Sequence, residues 1–118
     1  MKINIPGIDE EKGLDLYDDD DEIYLMVLRS YAANTPAVLD KMRKVTTETL
    51  QEYATNAHGI KGTSANVGAE NLRMTALKLE NMAKAGDLTG ILAINEAFLK
   101  EADTLMDNIN KWLTELGS

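Results

Sequence analysis

Apolar residues recur every three to four positions along most of the chain, which is the spacing of one face of an α-helix. The pattern is strongest near the C-terminus, where either Asp87 or Thr89 is placed to cap the start of a long helix. At about 1.5 Å per residue, this helix would span roughly 40 Å. Its expected inward positions are Ile91, Ile94, Phe98, Ala102, Leu105, Ile109, Trp112 and Leu116.

Two shorter helices are predicted directly before it. The first begins near Thr46 and ends at Gly68, and the second ends at Gly86, because glycine is often found just after a helix C-terminus. The inward positions of both helices repeat with the helical period. They are Leu50, Tyr53, Ala54, Ala57, Ile60, Ser64 and Val67 in the first helix, and Leu72, Ala76, Leu79 and Ala83 in the second.

The N-terminal part is expected to form three helices. The first, around residues 9–17, would turn Leu14 and Tyr17 inward. The next follows the acidic run DDDDE, and Thr35-Pro36 is interpreted as the N-cap and first position of a third helix. The expected inward positions are Ile23, Val27 and Tyr31, with Tyr24 and Leu28 beside them, in the second helix, and Leu39 and Met42 in the third.

The acidic run, from Asp18 to Glu22, lacks the glycine and the alternate ligand spacing of an EF-hand loop, which disfavours a Ca²⁺ site. Acidic side chains before a helix instead provide an N-cap and interact favourably with the helix dipole. We therefore expect the run to cap a helix.

Long amphipathic helices joined by short turns favour an antiparallel up-and-down four-helix bundle. A chain of 118 residues has the size of one domain, and no internal repeat or low-complexity linker divides it. We therefore predict an all-α fold, with one or two short extra N-terminal helices and a single domain over residues 1–118.

Composition narrows the range of partners. The net charge of −8 makes nucleic acids and anionic lipid surfaces unfavourable partners. The chain has no cysteine, which excludes disulfides and thiolate metal sites. Its first residues lack the apolar run of a signal peptide, and YLMVL is too short to span a bilayer. We expect a cytoplasmic protein that binds neither nucleic acid nor membranes, and a monomer, since one chain can bury its own apolar stripes.

The single histidine, His58, lies in the segment AHGIKGTSANVGA. It falls about 100° from the centre of the apolar stripe, on the shoulder of its helix. Imidazole is partly uncharged, and therefore nucleophilic, at neutral pH. Lys61, one turn away, would place an ammonium near any anion that the ring carries. The same position is also typical of an ordinary solvated histidine, so spacing alone leaves both interpretations open.

The residues around the ring are unusually small. Each interior glycine costs a helix roughly 1 kcal/mol relative to alanine, so a function for them is favoured. Small neighbours would let the surface of another protein approach the imidazole closely. The predicted docking residues are Ala54, Thr55, Gly59, Gly62 and Ala65.

The run His58-Gly-Ile-Lys61-Gly62, followed by small residues and a turn bounded by Gly68, resembles the H-x-x-K-G signature of histidine-containing phosphotransfer (HPt) domains in multistep phosphorelays. The resemblance extends over nearly the whole chain. Two features depart from the family pattern. DDDDE replaces the usual glycine-containing turn, and Tyr31 replaces a phenylalanine; these changes affect helix capping and packing only. Further matching positions are Leu72, Leu79-Glu80 and Gly86-Asp87.

The resemblance implies a carrier protein. His58 would accept a phosphoryl group from a receiver-domain aspartate, or from an upstream hybrid sensor histidine kinase, and pass it to the receiver domain of a response regulator. Lys61 would steady the phosphoryl oxygens and Gly62 would admit the receiver. Glu80 would orient the imidazole, although family members often carry a neutral amide there; the alternative is a solvated helix glutamate.

Such a carrier needs no cofactor of its own, because the Mg²⁺ and the acidic pocket belong to the receiver. The chain also lacks a nucleotide loop of the GxxxxGK type, so we expect no ATP binding and no kinase activity.

Two other interpretations remain at this stage. The phosphoacceptor domain of a chemotaxis-type histidine kinase shares H-x-x-K-G, and its histidine would be phosphorylated by an ATP-binding domain. A structural helical bundle with an incidental histidine would lose nothing measurable on substitution of His58.

Overall fold

The computed structural model describes residues 3–117, and every regular element in this range is helical. A short helix precedes four long ones, and each long helix packs on two of the others. The predicted all-α four-helix bundle is confirmed, with one extra N-terminal helix. The elements are α1 (Glu10–Asp15), α2 (Asp21–Met42), a 3-10 turn (Thr47–Thr49), α3 (Leu50–Val67), α4 (Glu70–Lys84) and α5 (Leu88–Leu116).

Residue types at the helix ends explain several of these boundaries. Asp20 accepts a hydrogen bond from the backbone N–H of Ile23 at the start of α2, so the acidic run caps a helix as predicted. Asp87, and not Thr89, caps α5. Gly68 ends α3 with φ 82°, a left-handed conformation that glycine adopts without strain.

The predicted break at Thr35-Pro36 is wrong. A single helix, α2, runs through Pro36, and Thr35 is buried within it rather than capping a new one. An interior proline costs a helix about 3 kcal/mol. The helix continues because Tyr31 and Leu39 lie on the same buried face on either side of the proline. Burying one large apolar side chain contributes about 1.5–3 kcal/mol, so packing on both sides offsets the cost.

The predicted inward stripe of α2 is displaced by one residue. Tyr24 and Leu28 are completely buried and form its centre, whereas Ile23 is exposed and Val27 is half-buried. The hydroxyl of Tyr24 donates to the carbonyl oxygen of Val67, and this bond fixes the rotation of the helix. At the other end of the chain, Leu116 is also exposed, against expectation.

Three buried tyrosines attach α3 to its neighbours. Two of them lie on α2: Tyr24 binds the end of α3 as above, and the hydroxyl of Tyr31 shares a 2.9 Å hydrogen bond with the hydroxyl of Ser64. On α3 itself, the hydroxyl of Tyr53 donates to the side-chain oxygen of Asn95 on α5. Buried polar groups of this kind are costly when unpaired, so the bonds favour a single position of α3. This helix carries the single histidine.

The N-terminal segment packs on the bundle, which the sequence analysis did not predict. Ile3 and Ile5 are buried in the core, and the N–H of Asp9 donates to the carbonyl oxygen of Gly68 at 2.8 Å. A side chain on Gly68 would collide with the Asp9 carbonyl, so this glycine is needed for close approach as well as for its φ. None of the helices within residues 3–117 combines the length and the apolar character needed to cross a membrane.

Candidate functional site

His58 lies on the exposed shoulder of α3, as its spacing predicts. Its side chain is 65% exposed, although its neighbour Ala57 is completely buried in the core. The helix is fixed on its inner face by the tyrosine bonds described above, so the backbone that carries the imidazole is held rigidly while the ring faces solvent. The arrangement gives an accessible nucleophile on a rigid support.

Glu80, on α4, binds the imidazole. Its side-chain oxygen Oε2 lies 2.8 Å from Nδ1 of His58, and the residue is only 2% exposed. The alternative of a solvated helix glutamate is therefore wrong. The position faces α3 because Ala76, Leu79 and Ala83 direct the same side of α4 into the core. The structure thus brings together His58 and Glu80, the two residues that the family resemblance pairs.

Two lysines complete the environment of this carboxylate. Nζ of Lys61 donates to Oε1 of Glu80 at 2.9 Å, and Nζ of Lys84 lies 3.0 Å from Oε2. Lys84 is not among the site residues predicted from the sequence. The sequence feature that points to Lys84 is its position four residues after Glu80 on the same helix. This spacing indicates a role at the site only once Glu80 is known to face His58.

The hydrogen-bond donors around Glu80 keep its carboxyl group ionised. The hydrogen bond from Lys61 is the largest cause that lowers the pKa of Glu80, to about 2, with further contributions from Lys84 and His58 that together outweigh the effect of burial. Glu80 is therefore an anion at neutral pH and can only accept hydrogen bonds. Nδ1 of His58 must then carry the proton that it donates, which leaves the lone pair of a neutral ring on Nε2. Within residues 3–117, Nε2 makes no hydrogen bond.

The two glycines beside the histidine are not required by packing inside the chain. A Cβ atom added to Gly59 or Gly62 would meet no atom within 4 Å beyond the adjacent residues and the backbone of the same helix. Both glycines lie in the interior of α3, where glycine is unfavourable. The structure therefore keeps open space beside the ring at a cost to helix stability, and offers no reason for it within the described chain.

The other predicted docking residues are divided between the surface and the interior. Thr55 is exposed and Ala65 is half-buried, whereas Ala54 is buried and contributes a wall rather than an outward surface. Ala54 and Thr55 line an open groove of about 770 Å³ beside His58, and Glu80 and Lys84 also line it. Gly59 lies on the opposite flank of α3, beside a smaller groove of about 220 Å³ between α2 and α3.

Comparison with known families identifies the class of this protein. The family model of the Hpt domain matches residues 26–112, about three quarters of the chain, and the chain belongs to this family. Hpt domains take part in phosphotransfer in two-component signalling, where they work with receiver domains and kinases. Searches of curated proteins and of solved structures returned no significant match.

The lowered pKa of Glu80 predicts how stability depends on pH. The folded value of about 2 lies below the ordinary 4.5, so the ionised carboxylate stabilises the fold above about pH 4.5, and this contribution is lost as the pH falls towards 2. Glu80→Gln should reduce the free energy of unfolding at pH 7 by about 1–3 kcal/mol. The difference between wild type and Glu80→Gln should shrink as the pH is lowered from 5 to 2, measured by urea unfolding.

The exposed residue Glu96 on α5 provides the matched control, Glu96→Gln, which should show little difference from wild type at either pH. A Glu80→Gln effect of the same size at pH 3 and pH 7 would contradict the ionised, hydrogen-bonded state of the carboxylate.

Proposed function

We propose that this protein is a phosphorelay intermediate in the cytoplasm, acting as a monomer. His58 accepts a phosphoryl group from a receiver-domain aspartate of an upstream hybrid sensor histidine kinase. It then passes the group to the receiver aspartate of a response regulator. The observation that carries this proposal is the exposed imidazole whose Nδ1 is bound by the buried carboxylate of Glu80 at 2.8 Å.

The chemistry follows from the protonation of the ring. The Nε2 lone pair attacks phosphorus, the P–N bond forms, and the P–O bond to the donor aspartate breaks, so that the carboxylate leaves. The imidazole gains positive charge as this bond forms, and the Glu80 anion at Nδ1 stabilises that charge. In the second transfer, a carboxylate oxygen of the next receiver attacks phosphorus and the P–N bond breaks.

Lys61 supplies positive charge next to the reacting ring while it holds the carboxylate that orients His58. The chain contributes no nucleotide loop, and the Mg²⁺ that neutralises the phosphoryl group during transfer would be held by the acidic pocket of the receiver. We therefore propose a carrier without ATP binding or kinase activity of its own, and without a cofactor.

The docking surface consists of the small residues around the ring. Gly62 leaves the space one helical turn from the imidazole open, Gly59 leaves the other flank of α3 open, and Thr55 and Ala65 add only short side chains. A receiver pocket must bring its aspartate within bonding distance of Nε2, which a bulky neighbour would prevent. The small side chain of Ala54 lines the groove beside His58 and leaves room for the receiver there.

The direct test is labelling with phosphoramidate, followed by intact mass measurement. Wild type should gain one acid-labile phosphoryl group and His58→Ala should gain none, because no other histidine is present in the chain. Addition of a receiver domain with Mg²⁺ should then remove the label.

The outcomes separate the proposed function from its alternatives. Label that persists after a receiver is added would indicate either a receiver that is not the partner of this protein or the phosphoacceptor domain of a chemotaxis-type kinase. Equal labelling of wild type and His58→Ala, or no labelling of either, would contradict a role for His58 and favour a structural bundle.

A second experiment tests the docking surface. Gly62→Gln should leave the fold intact, and should stabilise it by up to about 1 kcal/mol, because glycine is unfavourable in a helix and the space is open. It should nevertheless slow transfer from phosphorylated His58 to a receiver by at least about tenfold, a barrier change of about 1.4 kcal/mol.

Ala93→Gln, an exposed position on α5, is the matched control and should transfer at the wild-type rate. Gly62→Gln transferring as fast as Ala93→Gln would show that the receiver does not dock over this glycine.

A further inference from the structure

Lys84 is the immediate neighbour of the imidazole on the carboxylate that both groups bind. Nδ1 of His58 and Nζ of Lys84 lie 2.8 Å and 3.0 Å from the same oxygen, Oε2 of Glu80, whereas Lys61 binds Oε1. Of the two ammonium groups, the one on Lys84 therefore shares its acceptor atom with the ring.

The two lysine side chains also differ in how far they are exposed to solvent. The side chain of Lys84 is 64% exposed, and that of Lys61 is 27% exposed. Because its side chain lies mostly in solvent, Lys84 can move away from Glu80 more readily than Lys61 can. Lys61 is more enclosed and can keep the carboxylate paired when Lys84 moves.

The two lysines also differ in their position relative to the groove beside His58. Lys84 lines this groove together with His58 and Glu80, and Lys61 does not. Glu48 also lines the groove, and its negative charge would repel a phosphoryl group. Lys84 is the one cationic residue among the described residues that line the groove, so it is the residue there that can attract a phosphoryl group.

The charges of the cluster also favour an exchange of partners. Before phosphorylation, two ammonium groups share one carboxylate, and the cluster has one positive charge more than Glu80 can neutralise. A phosphoryl group on the imidazole would add roughly two negative charges and three strong hydrogen-bond acceptors. One lysine can then bind the new anion while the other still neutralises Glu80.

We infer that Lys84 leaves Glu80 and binds the phosphoryl oxygens when His58 is phosphorylated, while Lys61 stays on Glu80 and keeps the imidazole oriented. This inference rests on the proposed phosphorylation of His58. It changes the roles that the family signature suggests, because the lysine of H-x-x-K-G becomes the support for Glu80, and the phosphoryl-binding lysine comes from α4.

The test measures the second ionisation of the phosphoryl group by ³¹P NMR, as chemical shift against pH, in protein labelled with phosphoramidate. A bound ammonium favours the dianion and lowers this pKa, so its removal must raise it. Lys84→Met should raise the pKa of the phosphoryl group by about 0.5–1 unit, and Lys84→Arg should restore the wild-type titration. Lys61→Met should have the smaller effect.

Lys78→Met is the matched control, since Lys78 is an exposed lysine of α4 that makes no ion pair within residues 3–117, and it should titrate as wild type. Circular dichroism of each variant verifies the fold. A Lys84→Met titration equal to wild type, or a Lys61→Met shift as large as that of Lys84→Met, would overturn the assignment while leaving His58 as the phosphoacceptor. Failure of the wild type to take label at His58 would overturn the proposed function and this inference together.

Discussion

The site depends on a buried carboxylate that is kept ionised. Burying an unpaired carboxylate costs several kcal/mol, so Glu80 can remain an anion at 2% exposure only because nitrogen donors satisfy its oxygens. Those donors are His58, Lys61 and Lys84, from the two helices α3 and α4. The hydrogen bonds and ion pairs that offset the cost of burying the carboxylate also hold the imidazole in one tautomer. They place two ammonium groups beside it. Stability and chemistry therefore share a single set of contacts.

The rest of the bundle keeps α3 and α4 in the register that these contacts need. α4 follows α3 after a turn at Gly68, whose left-handed conformation and lack of a side chain admit the N-terminal segment. The tyrosine bonds fix the inner face of α3, while its outer face is left with glycines and short side chains. The helix is thus held on the side that faces the core and is unobstructed on the side where we propose that a partner docks.

Much of this could be predicted from the sequence. Helical periodicity defined the bundle, and the spacing of His58 and Lys61 placed both side chains near each other on the shoulder of α3. The long α5 was predictable because its apolar repeat persists over many turns. The break at Pro36 was predicted wrongly because a local rule was applied to a helix whose buried face continues past the proline. In that case tertiary packing outweighs the local preference.

Other features depend on contacts between distant parts of the chain. Burial of Ile3 and Ile5 requires the apolar core, which the helices form only after folding. The role of Lys84 depends on which way Glu80 faces, and that in turn depends on how α4 is rotated against α3. A spacing within one helix cannot fix the rotation of a helix against its neighbour, so neither feature had a clear signal in the sequence.

The central claim is that ionised Glu80 holds His58 with its proton on Nδ1 and its lone pair on Nε2. Long-range ¹H–¹⁵N correlation NMR of the ¹⁵N-labelled protein distinguishes the two ring nitrogens directly, and the single histidine makes assignment simple. The account predicts that the neutral ring is protonated at Nδ1. A neutral ring protonated mainly at Nε2 would contradict it, because the nitrogen that we propose attacks phosphorus would then have no free lone pair.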